Sequence, residues 1–118
     1  MPIKSLGYLG VRSNKVDDWK YFAGKVLAMQ LADHGGRQLS FRMDDLVQRL
    51  VISDEPGETL AFIGWEVSQK SDLQYFATRL DNAGHKVTEG GSELADRRFV
   101  EDLIVCSDPA GNRIELVW

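Results

Sequence analysis

The chain repeats itself. Tyr8, Gly10, Asp18, Tyr21 and Phe22 each find a like residue 54 positions on, at Phe62, Gly64, Asp72, Tyr75 and Phe76. An apolar spine follows the same shift: Trp19, Phe22 and Val26 fall on Leu73, Phe76 and Leu80, spaced as one face of a helix. Self-similarity of this kind requires two copies of one supersecondary unit, which constrains the fold before any single residue is weighed.

Each half opens on a strand, "SLGYLGVRS" or "LAFIGWEVS", and passes through a short polar turn into a helix. Asn14 or Asp17 in the first half, and Ser71 in the second, are the expected helix caps, because their side-chain oxygens can accept a first-turn N–H. Three shorter strands are predicted next, near 29–31, 38–43 and 47–52, and again near 86–88, 99–106 and 113–117. The turns "HGGR", "MDD", "EPGE", "NAGH" and "DPAGN" separate the elements, and "SELADRR" is helix-prone and is expected to make one irregular turn before its strand. The pattern is βαβββ twice, in modules 1–57 and 58–118 of a single domain. One helix per half and strands joined mostly by tight turns predict an α+β fold with mixed sheets, each covered on one face by its helix.

Composition narrows the function. A chain of 118 residues with 43% hydrophobic and 27% charged residues can bury a core of its own. The net charge of −4, without a Lys/Arg block, argues against nucleic acid and anionic membranes as partners. No apolar run approaches the roughly 20 residues of a membrane span, and "MPIKSLGYLG" lacks a signal-peptide pattern, so a cytoplasmic location is expected. Cys106 is the only cysteine, which excludes an internal disulfide; in "LIVCSD" it reads as a small buried hydrophobe, favoured over a catalytic thiol.

The tail "DPAGNRIELVW", together with "SLGYLGVRS", "LSFRMDD", "RLVI", "GWEV" and "ELADRR" in that order, resembles the vicinal oxygen chelate superfamily. Within it the set is similar to the amino-terminal domain of type I extradiol catechol dioxygenases, the iron-dependent ring-cleaving enzymes of biphenyl, naphthalene and steroid catabolism. The resemblance implies the glyoxalase/bleomycin-resistance/dioxygenase fold, in which two βαβββ modules curl their sheets around a shared cavity. It also implies that Fe(II) and the catalytic residues belong to a second domain of the same polypeptide. The chain's end on strand residues fits a segment cut at a domain boundary.

The superfamily's metal-ligand positions fall here on Tyr8 and Phe62 in the two opening strands, on Leu50 or a neighbour in "RLVI", and on Glu115 in the last strand. Only Glu115 is an ordinary ligand. Extradiol chemistry needs two histidines and one carboxylate with open positions beside them, and a tyrosine with an unperturbed pKa of about 10 is a poor substitute. His34 and His85 lie in predicted turns. The vestigial positions are therefore Tyr8, Leu50, Phe62 and Glu115, with no metal and no catalytic residue expected in this domain, and Glu115 is expected to be satisfied by the Tyr8 hydroxyl or by water.

The remaining candidates have plainer readings. The Asp17–Asp18 and Asp44–Asp45 pairs suit local hydrogen bonding at a helix start and a turn. Asp96, Arg97 and Arg98 suit a solvated or interface salt bridge more than an anion site. Tyr8, Phe62, Trp65, Glu115 and Trp118 are the candidates to line the concave face or seam, where the rings are expected to pack; an apolar pocket for an aromatic ligand is the functional alternative.

The leading expectation is thus a non-catalytic domain of a dioxygenase acting on a bulky catechol such as a biphenyl-2,3-diol. Its expected partners are the catalytic domain, the catechol, and further copies in a homo-oligomer. The alternatives are a free-standing small-molecule binding protein of the bleomycin-resistance type and, third, a glyoxalase-like metalloenzyme.

Overall fold

Two opening strands that carry aromatic and β-branched residues, with Gly10 in the first answering to Gly64 in the second, set the architecture. β1 spans Ile3–Arg12, and its counterpart β5 spans Thr59–Val67. The computed structural model describes residues 2–32, 38–42 and 49–118, so His34, the turns "HGGR" and "MDD", Asp44–Asp45 and the start of the strand expected at 47–52 lie outside the described residues. The chain forms two compact units, Tyr8–Ala61 and the combination of Met1–Gly7 with Phe62–Trp118.

In the Tyr8–Ala61 unit, β1 is followed by helix α1 (Val16–Tyr21), which runs on as a π-helical turn over Phe22–Val26. The strands β2 (Gln30–Ala32), β3 (Gln38–Arg42) and β4 (Leu50–Ser53) complete it, in the order β2-β3-β4-β1. β1 runs parallel to β4, and the other two pairings are antiparallel. Because strand side chains alternate, Leu39, Phe41, Leu50 and Ile52 share the face that packs on Ala23, Val16 and Trp19 of the helical segment.

Neither Asn14 nor Asp17 caps α1. Lys15 holds the cap position without a side-chain bond, while Ser13 Oγ accepts the Lys15 N–H at 3.1 Å. Asp17 and Asp18 sit in the first turn, where negative charge favours the helix dipole. The π turn shows in the Leu27 N–H donating to the Phe22 carbonyl, five residues back, and Ala28 then takes a left-handed φ of 59° to leave the helix.

The other unit repeats the plan with one addition. β5 leads to helix α2 (Lys70–Asn82), then β6 (Thr88–Glu89), helix α3 (Gly91–Arg98), β7 (Leu103–Ser107) and β8 (Arg113–Val117). The strand order is β5-β8-β7-β6, with β5 parallel to β8 and the rest antiparallel. Val67, Leu73, Ile104 and Leu116 form its core beneath α2, with Trp65, Phe76, Ala77, Val87 and Ile114 packed around them.

Three expectations change here. Gln69, not Ser71, caps α2: the Asp72 carboxylate accepts the Gln69 N–H at 2.9 Å and the Gln69 side chain accepts the Asp72 backbone N–H in return. "SELADRR" lies with Gly91 in a full helix of 8 residues rather than in an irregular turn. The strand expected from residue 99 begins instead at Leu103, because Phe99 ends α3 in the left-handed region (φ 58°). There the Phe99 and Val100 N–H groups donate to the Asp96 and Ala95 carbonyls, closing the helix as a Schellman cap.

Both units are α+β with mixed sheets, and their parallel pairs share one register. Leu9↔Leu50 through Arg12↔Ser53 in one unit answers to Ile63↔Ile114 through Glu66↔Val117 in the other, 54 positions apart along the opening strand. That agreement is the physical content of the sequence repeat. Among the described residues no helix is long and apolar enough to cross a membrane.

Candidate functional site

Strand parity separates the faces of the β5–β8 sheet. Ile114 and Leu116 turn toward α2, whereas Arg113, Glu115 and Val117 occupy the opposite face. Gly64 is the register partner of Glu115, so Phe62 and Gly64 share that second face. Glycine is required here for proximity: a Cβ on Gly7 would stand 3.2 Å from the Gly64 carbonyl oxygen and 3.7 Å from Val117 Cγ2.

α3 brings a cation to this face. Gly90, just ahead of the helix, donates its N–H to the Leu103 carbonyl at 3.0 Å and lies against the Leu103 side chain, which fixes where α3 begins. Leu94, Ala95 and Arg98 are its buried residues, and the spacing of 94 and 98 puts Leu94 and Arg98 on one helix face.

Glu115 is fully buried, and its carboxylate is gripped from two sides. Arg98 donates through Nε to Oε1 at 2.9 Å and through Nη2 to Oε2 at 3.1 Å. Arg113 donates through Nε to Oε2 at 2.9 Å, with its own side chain 43% exposed. The Phe62 ring closes the other side of Arg98, its centroid 3.7 Å from the guanidinium carbon. A bidentate fork on a carboxylate and an aromatic face on the guanidinium plane are two of the strongest contacts an arginine makes. Three guanidinium donors engage a carboxylate that offers about four lone-pair sites.

The donors to Glu115 thus include Arg98 and Arg113, where the sequence suggested Tyr8 or water. In "DRR" the sequence leads one to expect Arg98 in a solvated or interface ion pair; it is instead a buried partner 17 residues from Glu115.

The other candidates scatter. Phe62 and Glu115 meet through Arg98. Tyr8 is buried in the Tyr8–Ala61 unit, where Leu50 is half-buried and packs against the helix-side core. In that unit Gly10, the counterpart of Gly64, pairs with Val51, so the structural equivalent of Glu115 is Val51 rather than Leu50. Trp65 packs under α2, on the face opposite to Phe62. Trp118 is exposed, with the Lys70 ammonium 5.8 Å from its ring centroid.

Two hollows open on the same unit. One of about 950 Å³ runs between α2 and the start of α3, lined by Lys70, Gln74, Asp81, Glu89, Ser92 and Asp102. The other, about 470 Å³, is bordered by His85, Cys106, Asp108 and Arg113. Burial, and secondarily the nearby Asp108 charge, push the Cys106 thiol above its ordinary pKa, so it stays protonated at neutral pH and is a poor nucleophile. Asp108 is shifted the other way, chiefly by the Asn112 side-chain amide and backbone N–H that donate to its carboxylate.

Among the described residues, those at the carried-over ligand positions of the two sheets do not fit a metal ion. Phe62, Leu50 and Val51 carry no ligand atom, the Glu115 oxygens are engaged by arginines, and among the described residues no group of three or more His, Cys, Asp or Glu side chains could hold one.

Two βαβββ units whose parallel strand pairs share one register, the second with a carboxylate on its closing strand, define the class: the fold is that of the vicinal oxygen chelate superfamily. Its superposition on the crystal structure of a catechol 2,3-dioxygenase has a TM-score of 0.94 at 32% identity, over 99% of this chain and 42% of that one. Residues 6–57 match the family described as dihydroxybiphenyl dioxygenase BphC D1. The 3-methylcatechol 2,3-dioxygenase of Pseudomonas putida is 37% identical over 118 residues, all of this chain and 40% of that protein. A Rhodococcus jostii protein named an iron-dependent extradiol dioxygenase is 34% identical over 116 residues, 98% of this chain and 39% of that one. The chain therefore spans about two fifths of the relatives it matches, and its similarity is to the amino-terminal domain of type I extradiol dioxygenases.

Proposed function

We propose that this chain serves as the amino-terminal, non-catalytic domain of an iron-dependent extradiol dioxygenase, organised as two βαβββ modules over 1–57 and 58–118. The observation that carries the reading is the engagement of Glu115 by Arg98 and Arg113 at the position where the fold supplies a metal-ligating carboxylate. A carboxylate so held cannot also serve Fe(II), and the second ligand position on the same sheet is a phenylalanine. Iron, oxygen activation and cleavage of the ring next to the hydroxyls belong to a further domain of the same polypeptide, which with the catechol and further copies of the chain makes up the expected set of partners. The family description supports a substituted catechol, such as a biphenyl-2,3-diol, as the substrate of the whole enzyme.

What this domain supplies is a packed scaffold. Its face around Glu115 is filled by Arg98 and Phe62, so the vestigial position is closed by the domain's own side chains. A cytoplasmic site of action accords with the single cysteine and with the absence, among the described residues, of a helix able to span a membrane.

The test compares the 118-residue chain with the product of its complete reading frame, each reconstituted anaerobically with Fe(II) and given biphenyl-2,3-diol and O2. Ring cleavage, read as the coloured ring-opened product, is expected from the complete product only, with two histidines and a glutamate at matching strand positions in its second half. Turnover by the 118-residue chain itself would refute the non-catalytic assignment.

A further inference from the structure

We propose that the second unit carries a guanidinium site in place of a metal site, with Arg98 as its resident cation. The inference rests on the geometry of this unit alone, so ring cleavage by the isolated chain would defeat the proposed function and leave it standing.

The site has every contact that selects a guanidinium. The Glu115 carboxylate faces the fork of Arg98 with bonds of 2.9 and 3.1 Å, and the Phe62 ring lies 3.7 Å from the guanidinium carbon. A planar, delocalised, weakly hydrated cation is stabilised by such a pair of surfaces. A divalent metal ion is not, since it needs several lone pairs converging on one point and a phenyl ring offers none. Both anchors are themselves enclosed: Glu115 is 0% and Phe62 is 9% exposed. Removing the Arg98 side chain would leave a void of guanidinium shape, with a carboxylate on one wall, an aromatic face on another and the Arg113 fork still in place.

The chemical class of ligand follows. In Arg98→Ala the void should accept small guanidinium cations and discriminate against ammonium, neutral isosteres and divalent metals. The experiment is thermal unfolding of the 118-residue Arg98→Ala chain with guanidinium or methylguanidinium chloride, well below denaturing concentrations. Sodium chloride at equal ionic strength and urea are the controls. The expected result is a saturable rise in midpoint temperature with the guanidinium salts and none with the controls, since a ligand that binds only the folded state stabilises it. The same salts should only lower the midpoint of the parent chain, whose site is filled. Equal responses to guanidinium and sodium salts would overturn the proposal.

Should Arg98→Ala remain unfolded under every condition, the double variant Arg98→Met/Glu115→Met decides. Removing both charges together is expected to restore a cooperative transition, because the single variant leaves a buried carboxylate without the bidentate partner that balances it, held from one side by Arg113. A double variant as unfolded as the single one would count against a mutual pairing. Finally, Mn(II), Fe(II) and Zn(II) titrated into the parent chain should give no stoichiometric binding; a one-to-one complex that disappears in Glu115→Gln would return the carboxylate to a metal and overturn the assignment.

Discussion

Replacing Gly90 by alanine should destabilise the fold although its backbone would accept alanine. The φ and ψ of Gly90 are −72° and −35°, ordinary right-handed values, so conformational entropy alone would make Gly90→Ala stabilising by about 0.4–1 kcal/mol. Space forbids it. The new methyl would lie 2.6 Å from both Cδ2 and Cγ of Leu103 and 3.3 Å from Cδ1, against an ordinary carbon contact of roughly 3.5–4.0 Å. Leu103 is fully buried in β7 and cannot swing away without displacing its neighbours. Overpacking of this order costs about 1–3 kcal/mol, which for a chain of this size lowers the midpoint by roughly 4–15 °C. The assay is thermal unfolding followed by circular dichroism for the parent, Gly90→Ala, Leu103→Ala and the double variant. Leu103→Ala alone should cost about 2–5 kcal/mol for the cavity it opens. In its background the methyl of Gly90→Ala meets empty space, so the double variant should be more stable than the sum of the single losses by about 1–3 kcal/mol. Additive losses, or a parent-like midpoint for Gly90→Ala, would refute the close approach that seats α3 and hence Arg98.

Three other perturbations test separate parts of the molecule. Ala28→Gly should stabilise the chain by about 1 kcal/mol in chemical denaturation, because Ala28 is exposed and held at a φ of 59° that costs an alanine but not a glycine. Cys106 should react with iodoacetamide far more slowly in the folded chain than in the unfolded one below pH 9, with its reactivity midpoint displaced upward. Its raised pKa means that the associated stability is present below the unfolded value and is lost as pH rises through the folded one, so alkaline unfolding should be milder in Cys106→Ala. Asp108, whose pKa is lowered, contributes the opposite way: stability present above its unfolded value drains as pH falls through the folded one, and Asp108→Asn should flatten the acid limb of the stability profile below about pH 4.

The fold was legible because its strongest signals are local and periodic. Residues 54 apart in the opening strands carry equal roles in two parallel registers, and period-two alternation puts Phe62 and Gly64 on one face. Where the reading slipped, tertiary contacts outweighed local preference. Ser71 has the better capping propensity, yet Gln69 caps α2 because Asp72 reaches back to its N–H. "SELADRR" reads as one irregular turn because it is short and has few apolar residues, but burial of Leu94, Ala95 and Arg98 is enough to dock the eight residues of α3. Trp65 does not join Phe62 among pocket-lining rings, because residues an odd number apart on a strand face opposite ways.

The site was half legible for a different reason. Glu115 could be singled out as a charge on an otherwise apolar strand, and Phe62 as a residue that cannot ligate a metal. Nothing in the local sequence ties either to Arg98, since the link is made by where α3 lies on the sheet. One sequence signal was nonetheless available. A carboxylate on a buried strand face must find a counter-charge, and Arg98 stands four residues after Leu94, on the apolar side of a short amphipathic segment. An arginine at the apolar side of a helix is costly unless paired, so each charge predicts the other. The same reasoning bears on Glu115→Gln, which a solvated remnant would tolerate. With Arg98 buried against Phe62 and shared between both carboxylate oxygens, the amide can return only one acceptor to a fork that needs two. That substitution should therefore cost about 1–3 kcal/mol, measured by denaturant unfolding, and a loss below about 0.5 kcal/mol would mean that Arg98 is held by the Phe62 ring and its packing rather than by the charge of Glu115.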